Sequence, residues 1–370
     1  MSDDIGLIEQ SAQRLYSEQV DKAARERVEN GAFDARLWQL AVDNGFTLAL
    51  ASEAVGGVGE TWSAAAPILL GIGYWQVPLP LAETMVAHLL LSLAGLEAPD
   101  GPIALIEQGC GNALRASSSG PTLRLDGTVA HVAWARHAPT ALVSLSDRRL
   151  ALVDLHDPGA VRCEPQIDHA RMPSDTVVFN SAACRAQATN PLALAQPLWT
   201  LGALARSLMM VGALESLLEQ SVRYATERVQ FGKPIGKYQA IQQQLALMAG
   251  DTAAARVAAL AAAADAPSAM QPDAPTAAFS IAAAKVRAGE AATRATGIAH
   301  QVHGAIGFTR EHSLHFATRR LWAWREQFGS DAWWAERLGR AAIAGGAAAF
   351  WPSLTRRCFE HGFDAPAAKP

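Results

Sequence analysis

Two stretches hold side chains whose types and spacing could grip a phosphate-bearing ligand. The first, Arg228-Val229-Gln230-Phe231-Gly232-Lys233-Pro234-Ile235-Gly236-Lys237-Tyr238-Gln239, sets a fixed cation, an amide, an aromatic ring and a glycine turn directly after a helical run. A guanidinium gives planar two-pronged hydrogen bonds to anionic oxygens, so Arg228 suits a pyrophosphate. Phe231 offers a flat face on which a purine could stack. The second, Gln301-Val302-His303-Gly304-Ala305-Ile306-Gly307-Phe308, has an amide at Gln301 and bare backbone at Gly304-Ala305, where a phosphate can come close. Each stretch also has a plainer reading, with Arg228 as a helix-end cation and Gly232 as a C-cap.

Tyr224 to Met248 and His300 to Arg320 resemble the two C-terminal signature regions of the acyl-CoA dehydrogenase family of flavoproteins. Leu37 to Gly59 resembles that family's helix leading into a Gly-Gly-x-Gly loop, and Gln76 to Thr84 the segment after it. Several motifs in one order are more specific than one short pattern. The resemblance implies FAD as cofactor, an acyl-CoA thioester as substrate and electron-transfer flavoprotein as acceptor. In the family a carboxylate base takes the α-proton while the flavin takes the β-hydride. Counted without gaps, the two places for that base fall on Phe328 and Ala205, and neither can take a proton. No catalytic residue is expected in this chain. Glu326 and Asp331 lie nearby, and either could serve only after a shift of register; a charged residue at a helix start is otherwise solvated or capping.

The family's flavin-ring contacts are eroded in the same way. Ile106-Glu107-Gln108-Gly109-Cys110-Gly111-Asn112-Ala113 keeps the glycines of the family's Thr-Glu-Pro-Gly-x-Gly-Ser-Asp loop but has Ile at the Thr place and no Pro. His131-Val132-Ala133 stands where the family has Trp-Ile-Thr, so the hydroxyl is lost. His131 could be a general base, with a strand-surface histidine the plainer reading.

In the resembling family, dimers share cofactors: ring and base belong to one subunit, while Arg, Phe and Gln reach the neighbour's FAD. This chain keeps what is donated outward and lacks what is used at home. The carried-over roles are Arg228 and Gln230 on pyrophosphate oxygens, Phe231, Ile235 and Tyr238 on the adenine side, and Gln301 with Gly304 and Ala305 over the linking phosphates. The expectation is a β-type subunit of an α2β2 heterotetramer, completing the FAD site of a base-bearing α-type subunit that acts on bulky, possibly steroid-derived, acyl-CoA. Two alternatives stand beside it: an autonomous homo-oligomeric dehydrogenase recruiting Glu326, Asp331 or His131, and a non-enzymatic assembly protein of the same fold.

The elements that must position these groups follow from texture. The chain has 370 residues, 50% hydrophobic and 18% charged, enough apolar material for a large core. A net charge of −4 argues against nucleic acid or an anionic membrane as partner. The 4 cysteines show no metal or disulfide spacing, so free thiols and no metal are expected. The acidic start MSDDIGLIEQ and the lack of an apolar run of roughly 18 residues lead to the expectation of a cytoplasmic protein without membrane spans. Ile8, Leu15, Val20, Ala23 and Val28 recur at helical spacing. Thr61 is placed as N-cap of a helix over Trp62 to Tyr74, and Gly95 as the stop of another over Leu81 to Leu93. Short apolar runs at 103–106, 123–125, 141–145, 150–153 and 176–179, parted by Gly, Pro, Asp and Ser, read as strands. Helices resume near 195, with a loop at 266–275. The fold class is α+β: an N-terminal helical domain (1–100), a small middle β-sheet domain of barrel or sandwich form (101–192) and a C-terminal four-helix bundle (193–365). The tail from His312 to Trp351, rich in Arg and Trp, reads as subunit contact.

Overall fold

The computed structural model describes residues 2–358 except 121 and 275, so the expected C-terminal limit at 365 lies outside the described residues. Five helices come first: α1 (Ser2–Gln19), α2 (Lys22–Glu29), α3 (Ala35–Asp43), α4 (Trp62–Trp75) and α5 (Leu81–Ala94). The Thr61 side chain accepts from the N–H of Ala64, and Gly95 ends α5 in the left-handed region at φ 67°, as the sequence indicates. The helical phase differs from the expected one after Val20. Asp21 caps a new helix, α2, which resets the register so that Ala24 rather than Ala23 is buried with Val28.

The middle segment is a curled sheet of β1 (Ile103–Glu107), β2 (Arg115–Ser119), β3 (Thr122–Ala133), β4 (Thr140–Ser144), β5 (Arg149–Asp154), β6 (Val161–Glu164) and β7 (Ser174–Thr189), in the order β1-β4-β5-β7-β3-β2, with β6 also on β7. Only β1 and β4 run parallel. The long β7 curls the sheet, since its first half pairs with β3 and β6 and its second half with β5. Bulges at Leu125/Gly127 and Val129/Val132 add twist in β3. Leu125, Val143, Val153, Val177 and Phe179 fill the inside. The strands β2 and β6 were not foreseen; Arg115–Ser119 and Val161–Glu164 are too polar to show an apolar run.

The remaining helices are α6 (Pro197–Glu227), α7 (Gln239–Asp265), α8 (Ala277–His303), α9 (Leu314–Glu326), α10 (Asp331–Gly345) and α11 (Ala347–Arg356). Helices α4 and α6 cross in contact: a β-carbon on Gly73 would stand 1.8 Å from the Met209 carbonyl oxygen, and one on Gly212 1.9 Å from that of Leu70. By length and hydropathy α6 and α7 could each cross a bilayer, which corrects the expectation that no stretch could. Alanine raises the average despite the interspersed charges. The apolar window of α6 is 89% buried and makes it a core helix, while that of α7 is 28% buried.

The tail also differs from expectation. Trp324, Trp334 and Arg320 are buried within this chain, Arg320 against the Trp324 ring, and Arg319 pairs with Glu29 at 2.7 Å. Of the tryptophans after His312, Trp322 and Trp351 are the exposed ones. Part of the aromatic-rich tail is therefore core of this chain, because aromatic rings carry the largest apolar area to bury, while Trp322, Phe350 and Trp351 are left exposed.

Candidate nucleotide site

All eight phosphate-gripping and ring-lining candidates meet at one cavity of about 630 Å³: Arg228, Gln230, Phe231, Ile235, Tyr238, Gln301, Gly304 and Ala305. Helix α6 stops at Arg228, where the chain turns extended and forms a hairpin of β8 (Val229–Gln230) and β9 (Lys233–Pro234). Phe231 and Gly232 make its two-residue turn with φ of 52° and 82°. Both angles are left-handed, the geometry that normally selects Asn-Gly. Gly232 is thus a turn residue and no C-cap. Phe231 is 92% exposed, so burial of its side chain in this chain does not offset its strained backbone. The Tyr238 hydroxyl donates to the Gln230 carbonyl at 3.1 Å and Lys233 sits over the Tyr238 ring at 4.3 Å, which stiffens the loop.

Across the cavity α8 ends at His303, and Gly304 follows with φ 62° and ψ −143°, a region essentially closed to residues with a β-carbon. A short 3₁₀ turn, Gly304–Phe308, continues from it. No described carboxylate pairs with the exposed Arg228 guanidinium. A cation lacking a protein counter-charge, a glycine backbone and an apolar rim fit a dinucleotide's pyrophosphate and adenine, and the volume is that of an ordinary ligand pocket. The sequence reading left out Tyr224, Ile241, Val302, His303 and Ile306, which also line the cavity. Spacing held a signal for two: Tyr224 lies one helical turn before Arg228, and Ile241 three residues after Tyr238.

Of the two places expected for a base, one lies at a separate cleft of about 610 Å³ between the sheet, the start of α6 and the end of α9. Phe328 lines it, held at φ 55° in the loop after α9. Its ring lies on Gly202, where a β-carbon would come within 2.4 Å. Ala205 is buried in α6. Neither offers an ionisable group. Glu326 borders the cleft from the last turn of α9 but is exposed and pairs with Arg325 at 3.2 Å. Asp331 begins α10, pairs with Arg325 at 3.0 Å and packs its side chain on Gly289. It is not among the residues that line the cleft. His131 lines the cleft from β3 with φ 59°.

Charges in this cleft are neutralised or locked. Arg206 and Glu83 form an ion pair with side chains only 2% and 3% exposed. Arg206 also donates through Nε to Gln327 at 2.6 Å, Gln327 donates to Asp168 at 3.3 Å, and the guanidinium stands 5.3 Å from the centre of the Phe328 ring. Burial raises the Asp168 carboxyl above its ordinary value. Glu107 accepts from the N–H groups of Leu198 and Trp199 at 3.0 and 3.1 Å, capping α6. Burial still pushes its pKa up to about 8, against the lowering effect of Ser144 and those amides. The sequence does signal the pair: Glu83 and Arg206 are lone charges in the apolar stretches of α5 and α6.

Comparison with known proteins settles the family. Residues 193–343 match the model of the acyl-CoA dehydrogenase C-terminal domain. The chain is 31% identical over 291 residues to acyl-CoA dehydrogenase IpdE2 of Mycobacterium tuberculosis, covering 78% of this chain and 80% of that protein. The chain belongs to the acyl-CoA dehydrogenase family. Among solved structures, the ChsE4-ChsE5 complex from Mycobacterium tuberculosis superposes with a TM-score of 0.82 at 23% identity, covering 94% of this chain and 99% of that one. The Tcur3481-Tcur3483 steroid ACAD superposes with a TM-score of 0.82 at 26% identity and the same coverage. Helical ends around a curled sheet are the shared fold.

Proposed function

We propose that this chain is the β-type subunit of an α2β2 acyl-CoA dehydrogenase, lending FAD pyrophosphate and adenine contacts to a homologous base-bearing α-type subunit. The observation that carries the reading is the contrast between its two concavities. The outward one gathers Arg228, Gln230, Phe231, Ile235, Tyr238, Gln301, Gly304 and Ala305, and the inner one has the hydrocarbon ring of Phe328 at one base position, with the other, Ala205, buried in α6. When bound, FAD supplies the hydride acceptor. This chain's part is to hold the cofactor: Arg228 and Gln230 at the pyrophosphate, the Gly304–Ala305 backbone over the linking phosphates, and Phe231, Ile235 and Tyr238 against the adenine. A phenyl ring held out at 92% exposure on a left-handed turn suits a residue that reaches a neighbour. The two superposing complexes named above are heteromeric by their names, and one is called a steroid ACAD. This supports a partner subunit and a bulky, steroid-derived acyl-CoA; the acceptor proposed with them, electron-transfer flavoprotein, is what the family resemblance implies.

The test is an absorption spectrum of the chain purified alone and after co-expression with a homologous base-bearing subunit. Flavin bands in the mixed complex only, bleached by acyl-CoA, are expected. A yellow chain that purifies alone and is reduced by acyl-CoA would establish the autonomous dehydrogenase instead.

A further inference from the structure

In the wall of the nucleotide cavity, and reaching behind it, sits a cluster of rings that the phosphate-gripping groups leave unused. His303, 2% exposed, is the last residue of α8, and the next two residues are cavity wall. Its ring stacks on Tyr224 of α6 with centroids 4.5 Å apart and meets the His312 ring at 4.8 Å. On the other side of the turn, His300 stacks on Phe308 at 4.4 Å. A β-carbon on Gly307 would stand 3.0 Å from Cβ of His303 and 3.5 Å from Nδ1 of His300. The 304–308 turn therefore rests on the His303 side chain at its Cβ and on the His300 imidazole.

Hydrogen bonds fix the protonation of the rings. His303 Nδ1 faces the Ala299 carbonyl at 2.8 Å and so donates. In the neutral ring Nε2 is then a bare acceptor, and it is buried without a partner. His300 Nδ1 is likewise buried without one, while His312 Nδ1 accepts from the Leu314 N–H at 3.1 Å. A second proton on His303 would create a buried donor facing no acceptor, which is costly. It would also set a charge beside His312 and His300. Burial first, then those two neighbours, hold His303 below the ordinary imidazole pKa, with the Ala299 bond pulling the other way. Burial lowers His300 and His312 as well. The groups around His303 are Tyr224 from α6, His312 from the segment after the turn and His300 from its own helix, and Arg228 is the charged residue lining the same cavity.

We propose that His303 is a positioning residue that, as a neutral ring, holds Gln301 and the Gly304–Ala305 turn in the shape that grips a nucleotide pyrophosphate, and that its protonation releases the grip in acid. The proposal rests on the reading of the cavity given above. The probe is ADP-ribose, whose internal pyrophosphate has no group titrating near neutrality, measured by calorimetry on the FAD-stripped mixed complex from about pH 5 to about pH 8. Affinity is expected to be level at the alkaline end and to fall towards about tenfold per pH unit once His303 binds its proton. His303→Phe keeps a ring but has no proton to take, and it should bind at pH 8 yet lose the acid fall. If that variant fails to fold, the imidazole ¹⁵N shifts of His303 in the unaltered chain must follow the same profile as binding. An affinity that is flat or rises in acid, while Arg228→Ala still weakens binding, overturns the positioning role and spares the cavity reading. Binding at pH 8 that Arg228→Ala leaves unchanged overturns the cavity reading and this proposal with it.

Discussion

The outward cavity and the inner cleft have nearly equal volumes, about 630 and 610 Å³, and opposite chemistry. The cavity keeps its cation exposed and unpaired, holds its turn residues at left-handed angles and projects an aromatic ring into solvent. At the cleft, wall charges are matched inside the chain: Glu83 is paired by the buried Arg206, which is braced through Gln327 to Asp168. A site built for a ligand leaves polar groups waiting, whereas a retired one closes them on each other. On the proposed function, binding belongs to the first region and architecture to the second.

The largest expected effect breaks the second region. Arg206→Ala strands the Glu83 carboxylate in the core and should cost about 3–5 kcal/mol in a denaturant melt, as removing one partner of a buried pair does. If the cleft were open and hydrated, the loss would be small. Next is Arg228→Ala, which should weaken FAD retention in the mixed complex by about 1.5–3 kcal/mol, a range typical of a charge-assisted bond, and leave the melting of the chain unchanged. A drop in both would make Arg228 structural.

The candidate grip was legible in the sequence because it is local. Arg228 to Tyr238 and Gln301 to Ala305 are two short stretches whose order and types carry the family likeness, and the fold brings them to one wall. The missed residues depend on what is distant in the chain. His303 joins Tyr224 only across the α6–α8 contact, and the Asp168–Gln327–Arg206–Glu83 chain draws on four separate segments. Helix phase was legible where a cap is strong, as at Thr61, and lost where Asp21 restarts a helix one residue after the previous one fades. Asp331 looked available as a base because a side chain packed on Gly289 leaves no trace in spacing.

Two finer effects sharpen the contrast. Glu107 has its pKa raised to about 8; the folded state therefore holds this proton more tightly than the unfolded chain. The stability it contributes is complete below the ordinary carboxylate pKa and is lost as pH rises towards 8. Glu107→Gln keeps an acceptor for Leu198 and Trp199 but cannot ionise, so its denaturation midpoint should match the unaltered chain near about pH 5 and exceed it near about pH 8. Equal pH profiles would show that Glu107 is ionised throughout. The smallest expected change is Phe231→Asn, which suits the left-handed turn and should stabilise the isolated chain by a few tenths of a kcal/mol, about what a better turn residue contributes. The same substitution should weaken flavin retention in the complex. A gain in both would remove Phe231 from the adenine side.

The most direct measurement is a structure of this chain co-expressed with its base-bearing partner and FAD. The account predicts the pyrophosphate against Arg228 and the Gly304–Ala305 turn of this chain, with the flavin ring seated in the partner's sheet. A flavin ring lying in this chain's own cleft beside Phe328 and His131 would contradict it.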